Sequence, residues 1–233
     1  MNELALFAGV GGGLLASRIN GWRTVCAVEI NWYRRNVLQL RQCEGTLDPF
    51  PIWDDIRSFD GLPWRGRIDV VSGGFPCQAY SPAARGRNVA DDLWPEMRRV
   101  VAEVAPRYVF AENTARRAID QAADDLEAMG YQTHCIPLSA ADLGGDHDRK
   151  RYWLRAYADG GGELCGSVDA EVAQLQGICS GVWATEPGGS RVPDGMAHRV
   201  DRLEATGDGQ VAIVAAAAWR LMQHQSELDG NEA

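Results

Sequence analysis

Along the first two-thirds of the chain, short apolar runs alternate with stretches of helical spacing, which is the rhythm of βαβ units and a parallel sheet. The runs predict strands over 4–7, 24–29, 68–72, 108–111, 132–137 and 151–158. Helices are predicted over 14–19, 33–41, 94–104 and 117–129. Polar or glycine-rich turns close several strands: Ala8-Gly9, Glu29, Gly73-Gly74 and Glu112-Asn113. In an open α/β sheet the ligand crevice lies at the carboxyl ends of the strands, so these turns are expected to meet at one site.

From Asp159 to Arg191 the rhythm fails. Gly160-Gly161-Gly162, Gly166, Gly181 and Gly188-Gly189 break any long element. The alanine-rich stretch 211–222 predicts a last helix, with a frayed polar tail over 223–233. Three parts are therefore expected: a body over 1–158, an irregular insertion over 159–191, and a segment over 192–233 whose helix packs back on the body.

Composition narrows the class. A chain of 233 residues with 45% hydrophobic positions can bury an ordinary core. No apolar run approaches the roughly 20 residues of a membrane span, and Met1-Asn2-Glu3-Leu4 does not open a secretion signal. Six cysteines without a CxxC pair suit a reducing cytoplasm, and Cys26, Cys43 and Cys135 read as small buried hydrophobes. The net charge of −9 speaks mildly against a nucleic-acid partner, although arginines cluster at 85/87, 98/99, 116/117 and 149/151/155. Of the 23 lysines and arginines only Lys150 is a lysine, a skew that a GC-rich coding sequence explains more simply than phosphate binding does.

Two stretches carry chemistry. Phe7-Ala8-Gly9-Val10-Gly11-Gly12-Gly13 turns from a strand into a helix, where glycines let backbone approach a ligand, and Glu29 ends the next strand, placed to accept ribose hydroxyls. Dehydrogenases use such turns too, so this signal is weak alone. Gly73-Gly74-Phe75-Pro76-Cys77-Gln78 is more specific. It sets a cysteine in a loop after a strand, with Pro76 restricting both its own φ and the conformation of Phe75. A positive group nearby would favour the thiolate of Cys77.

Gly74-Phe75-Pro76-Cys77-Gln78 resembles the catalytic-loop motif of the DNA cytosine-5 methyltransferases, and the motif order along the chain is similar. Phe7-Ala8-Gly9-Val10-Gly11-Gly12 resembles the family's cofactor motif, Glu29-Ile30 its ribose-binding acid and neighbour, and Asp55-Ile56 its adenine-contacting pair. Asp92-Leu93-Trp94 corresponds to the end of its mobile loop, and Glu112-Asn113-Thr114 is close to Glu-Asn-Val. His147-Asp148-Arg149-Lys150-Arg151 parallels Gln-x-Arg-x-Arg, and Arg199–Leu203 and Gly207-Asp208-Gly209-Gln210-Val211 resemble the last two motifs. The stretch 159–183 lies where the family carries its variable target-recognition region.

The resemblance implies a Rossmann-like S-adenosylmethionine-dependent methyltransferase fold, with a mostly parallel sheet and a small target-recognition insertion. It implies methyl transfer from S-adenosylmethionine to C5 of a cytosine flipped out of double-stranded DNA, by a monomer without a metal ion. The setting would be the cytoplasm of a bacterium or a phage-infected host; restriction-modification and phage self-protection both remain open. Carried over residue by residue, Cys77 is the nucleophile that adds to C6. Glu112 is the acid at N3, best served by a pKa raised through burial, and Arg149 and Arg151 are fixed donors to a neighbouring carboxylate or backbone and to the base O2. Phe7, Gly9, Gly11, Gly12, Glu29, Ile30, Asp55, Ile56, Pro76, Asp208 and Gln210 are expected to line the cofactor site. An RNA cytosine-5 methyltransferase and a catalytically weak DNA-binding relative remain as alternatives.

Three positions depart from the family pattern: His147 replaces glutamine, Asp208 asparagine and Ala212 proline. Asp208 either adds a charge beside the cofactor or caps the last helix. An insertion as short as 159–191 is expected to read a target of about two to three defined bases, with Trp183 and Arg191 among the contacts.

Overall fold

The computed structural model describes residues 1–76, 92–145, 148–158 and 209–228, with side chains through 223. Seven strands form one sheet: β1 (Asn2–Leu6), β2 (Arg23–Val28), β3 (Ile52–Trp53), β4 (Val70–Gly74), β5 (Tyr108–Asn113), β6 (Tyr131–Leu138) and β7 (Arg151–Ala158). Their order is β3-β2-β1-β4-β5-β7-β6. The first five are parallel, whereas β7 runs antiparallel to both β5 and β6. Among the described residues five α-helices accompany them: α1 (Gly12–Ile19), α2 (Trp32–Cys43), α3 (Trp94–Val104), α4 (Arg116–Ala128) and α5 (Ala212–Leu228).

The central strands are apolar on both faces because both faces are covered. On one side Val71, Val109, Ala111 and Leu154 pack with Met97, Val100, Val101 and Val104 of α3 and Ala118, Ile119, Ala122 and Leu126 of α4. The i, i+3, i+4 spacing of these helical residues is what produces a single buried stripe. On the other side Val70, Tyr108, Phe110 and Trp153 meet Ile213–Met222 of α5. The alanines at 215–218 are fully buried there, which lets α5 lie close to the sheet.

After β1 the chain moves outward through β2 and β3, then returns to β4 on the other flank of β1. This reversal of strand order makes a crevice at the carboxyl ends of β1 and β4. The segment leading into α5, Gly209–Gln210, reaches this crevice, while α5 itself is anchored at the far end of α1 and the start of β2. Trp219 sits edge-on to Trp22 at 4.6 Å, and Arg220 donates to the Ile19 carbonyl and to Asn20 Oδ1, each at 3.0 Å.

Several expectations need correction. The two-residue β3 is too short to leave a pattern and was not predicted. Gly73-Gly74 and Glu112-Asn113 lie inside β4 and β5, not in turns after them, because each pairs in register with a neighbour. α5 runs on to Leu228, so residues 223–228 extend the helix where a frayed tail was expected. Cys26 is buried, but Cys43 and Cys135 are exposed; both sit on elements near the periphery, at the end of α2 and on edge strand β6. Among the described residues no helix is long and apolar enough to cross a membrane. The insertion 159–191 lies outside the described residues.

Candidate active site

The first turn of the crevice is built by backbone geometry. Phe7 has φ 53° and Gly9 φ 57°, left-handed conformations that cost a residue with a side chain but not glycine. The resulting bend is closed by the Gly11 amide donating to the Ala8 carbonyl and the Ala8 amide to the Val28 carbonyl, both at 3.0 Å. Gly11, at φ 91°, caps α1 without a side-chain bond.

Glu29, almost wholly buried beyond the end of β2, holds this turn. Its Oε2 accepts from the Gly9 amide at 2.7 Å and its Oε1 from the Asn31 amide at 2.8 Å. Each oxygen has a second lone-pair direction, so the carboxylate is oriented by backbone and still able to accept hydroxyls. Ile30 is 58% exposed beside it, and Arg35 donates to the carbonyls of Glu29 and Ile30 at 3.0 and 2.6 Å. Asp55 accepts from the Arg57 amide at 2.9 Å. The Ile56 side chain, by contrast, is packed in the core with Phe59 and Val101, so any ligand contact at Ile56 must use backbone.

Glu112 lies at the carboxyl end of β5, 6% exposed. Arg151 Nε is 3.1 Å from its Oε1, and Gln210 Nε2 donates to its Oε2 at 3.2 Å. Arg149 donates from Nη2 to the Gly209 carbonyl at 2.7 Å. Arg151 thus meets the carboxylate, and Arg149 pins the segment that carries Gln210.

Asn113, to which no role was assigned from sequence, joins this acid to the cysteine loop. Its Nδ2 donates to the Phe75 carbonyl at 2.8 Å and its Oδ1 accepts from the Ala115 amide at 2.9 Å. The Phe75 ring packs 5.1 Å from Trp94, the Leu93 amide donates to the Pro76 carbonyl at 3.4 Å, and Asp92 Oδ1 accepts from the Trp94 amide at 3.0 Å. Phe75–Pro76 and Asp92–Trp94 are therefore tied together. Cys77 follows Pro76 directly but lies outside the described residues, as do His147, Trp183, Arg191, Asp208 and most of the loop 78–92. α5 starts at Ala212, which puts its cap position at Val211.

A cavity runs along these groups, lined by the Phe7–Gly9 turn, Gly12, Gly13, Gly73, Gly74, Glu112, Gly209 and Gln210. Its inner end reaches Glu3, an acid that sequence reading missed. Glu3 is fully buried and accepts from the hydroxyls of Ser17, Thr24 and Ser72, each at 2.6 Å. Burial, the largest influence, pushes its pKa above the ordinary 4.5 against the opposing effect of those hydrogen bonds. Among the described residues no group of three or more His, Cys, Asp or Glu could hold a metal ion.

The glycine-lined turn, the oriented Glu29 and the exposed Ile30 suit a nucleoside-bearing ligand. Beyond them, the Arg151–Glu112 pair offers a carboxyl group fixed at the mouth of the same cavity.

The chain is similar to known proteins over most of its length. The sequence model of the family described as C-5 cytosine-specific DNA methylase matches residues 1–171. The Type II methyltransferase M1.HphI of Haemophilus parahaemolyticus is 31% identical over 178 residues, covering 69% of this chain and 47% of that protein. The Type II methyltransferase M.NgoMIV of Neisseria gonorrhoeae is 30% identical over 159 residues, covering 64% and 49%. The crystal structure of the S. pombe Dnmt2 methyltransferase superposes with a TM-score of 0.58 at 20% identity, covering 81% of this chain and 57% of that one; at that identity it speaks for the fold. The chain spans about half the length of the curated relatives it matches.

Proposed function

The chain belongs to the C-5 cytosine-specific DNA methylases, and we propose that it transfers a methyl group to C5 of a cytosine flipped out of double-stranded DNA, acting as a monomer. The observation that carries this reading is Glu112. It is a buried carboxyl held between Arg151 and Gln210, one residue from the asparagine that fixes the backbone leading into Cys77.

The Phe7–Gly12 turn, Glu29, Ile30 and the Asp55–Ile56 backbone would hold S-adenosylmethionine, which supplies an electrophilic methyl group when bound. The chain's own residues make the base receptive. C5 of cytosine is a poor nucleophile; addition of the Cys77 thiolate to C6 forms a C–S bond and moves electron density towards C5. Charge builds at N3 in that step, and a proton on Glu112 placed there lowers the barrier. Arg151 keeps the Glu112 carboxyl in one plane. Once C5 carries the methyl group, return of the N3 proton to Glu112, loss of the C5 proton to a base and expulsion of the thiolate restore the aromatic ring and free Cys77. Asn113 and the Phe75–Trp94 contact hold the stem from which Cys77 must reach the base, so that the addition starts from a set geometry.

The short region 159–191 is assigned to target recognition, with a target of about two to three defined bases. Restriction-modification and phage self-protection are both served by such an activity.

The test is bisulfite sequencing of DNA from cells expressing either the chain or its Cys77→Ser variant, together with methyl-transfer assays on duplex DNA and on RNA. The expected outcome is modified cytosines in one sequence context for the parent and none for the variant, with cofactor binding retained. A 5-fluorocytosine duplex should trap a covalent complex with the parent alone. Turnover by Cys77→Ser, or transfer to RNA in preference to DNA, overturns the reading.

A further inference from the structure

The family resemblance places Gln210 in the cofactor site, yet its amide is directed at Glu112. Three glycines shape the space around it. A Cβ added at Gly12 would stand 2.1 Å from the Gln210 carbonyl oxygen, one at Gly13 2.5 Å from Gln210 Oε1, and one at Gly74 3.1 Å from Nε2. Contacts under 3.0 Å essentially never occur for a real Cβ; at Gly12, where the close atom is backbone, the seat exists only because the side chain is missing, and at Gly13 a side chain would push the Gln210 amide aside. On the chain's other side Arg149 pins the Gly209 carbonyl at 2.7 Å, and α5 follows two residues later. The backbone at Gln210 is thus held from a side away from Glu112, and the glycines leave room for its side chain to reach the carboxyl.

The orientation of the amide follows from chemistry. A carboxylate only accepts, so the amide nitrogen is the atom that must face it. A bond from Arg151 to Oε1 restrains one oxygen, while the broad last torsion of a glutamate lets the plane turn about that contact. A second donor on Oε2, approaching from a separate element, removes that freedom.

We propose that Gln210 is a positioning residue for Glu112: with its backbone against Gly12 and its amide against Gly13 and Gly74, it fixes the plane in which the Glu112 carboxyl meets the N3 edge of the base. The proposal rests on the assignment of Glu112 as the acid at N3. It also gives the C-terminal segment a role in the chemical step beyond closing the cavity.

Gln210→Met keeps the length of the side chain and removes the N–H donor. On the full chain, the rate of a single round of methyl transfer at saturating duplex DNA and S-adenosylmethionine is expected to fall about 10-fold, the scale of one hydrogen bond to a charged group. The rate's pH profile should move to higher pH, because a donor that favours the ionised carboxyl has been lost. Cofactor affinity should stay within about twofold, since the amide is directed at Glu112 rather than at the cofactor. Gln210→Asn, which retains the amide but withdraws it by one methylene, should lose rate in the same direction and serves if the methionine variant does not fold.

An unchanged saturated rate with weaker cofactor binding would make Gln210 a cofactor contact and overturn the proposal. So would a lowered thermal midpoint with an unchanged rate and pH profile per folded molecule. Glu112→Gln separates the two levels. If that variant matches the parent, the assignment of Glu112 itself has failed; if it is impaired while both Gln210 variants are not, only the positioning role has.

Discussion

Glu3 and Glu112 are both buried and both line the same cavity, but the chain has surrounded them with different chemistry. Glu3, near the amino end of β1, meets the hydroxyls of Ser17, Thr24 and Ser72. Glu112, at the carboxyl end of β5, meets the guanidinium of Arg151 and the amide of Gln210. A hydroxyl donates or accepts, so it serves a carboxyl group whether or not it carries a proton. Ser17 illustrates this: its hydroxyl lies 2.6 Å from Glu3 and 3.1 Å from the Gly13 carbonyl, and with one hydrogen it can accept from a protonated Glu3 while donating to Gly13. A guanidinium only donates and carries a charge, so it fixes an acceptor in place. The first arrangement joins α1, β1, β2 and β4 and suits a structural pillar. The second leaves an acid in a set orientation at the cavity mouth and suits proton transfer.

This contrast breaks if the two acids respond alike to removal. The largest effect is expected for Glu112→Gln, which keeps the size of the side chain and removes the acid. Methyl transfer should fall by at least about 10²-fold, the usual worth of a positioned acid, while the thermal midpoint changes little. Radiolabel transfer to duplex DNA and a melting curve check both halves.

Ser17→Ala and Ser72→Ala should do the reverse. Each leaves a buried oxygen short of a partner, at a cost of about 1–3 kcal/mol in stability, with transfer per folded molecule preserved. Denaturant titration beside an activity assay would show it, and a fall in rate without a fall in stability would move Glu3 from pillar to participant.

The smallest effect, and the sharpest, is a matter of slope. The raised pKa of Glu3 means that its stabilising contribution is complete below the ordinary carboxylate value of 4.5 and is lost as pH rises through the folded-state value, because the unfolded chain releases the proton first. Glu3→Gln removes that loss. Its stability should be close to the parent's in acid and should fall less on going to neutral pH, as urea midpoints measured across the range would reveal.

The two acids also differ in how far the sequence discloses them. Glu112 stands beside Asn113 after an apolar run, in a motif order that already points to chemistry. Glu3 opens an apolar strand, and nothing in Glu3-Leu4-Ala5-Leu6 says that hydroxyls from three other elements converge on it. The central strands and α3 were legible because burial on both faces, or along one stripe, imposes a pattern on composition. β3 was not, since two residues carry no period. The partner of Gln210 was out of reach for another reason: it lies 98 positions away in the chain, and the glycines that seat it serve equally well in a simple turn. Phe7 at φ 53° is a strained position that its residue type conceals.

The bond from Arg220 to Asn20 spans 200 positions, and it has a consequence in time. Synthesis proceeds at about 5–20 residues per second, so the end of α1 waits about 10–40 s for the helix that packs against it. During that interval the groove shaped by Gly12, Gly13 and Gly74 has no glutamine to fill it, and Phe110 and Trp153 have no α5 to cover them. Contacts this remote in sequence are the slow kind to form. Completion of the hydrophobic core and completion of the acid's surroundings are therefore one event, brought about by the same helix, and a nascent chain that stops short of it carries neither.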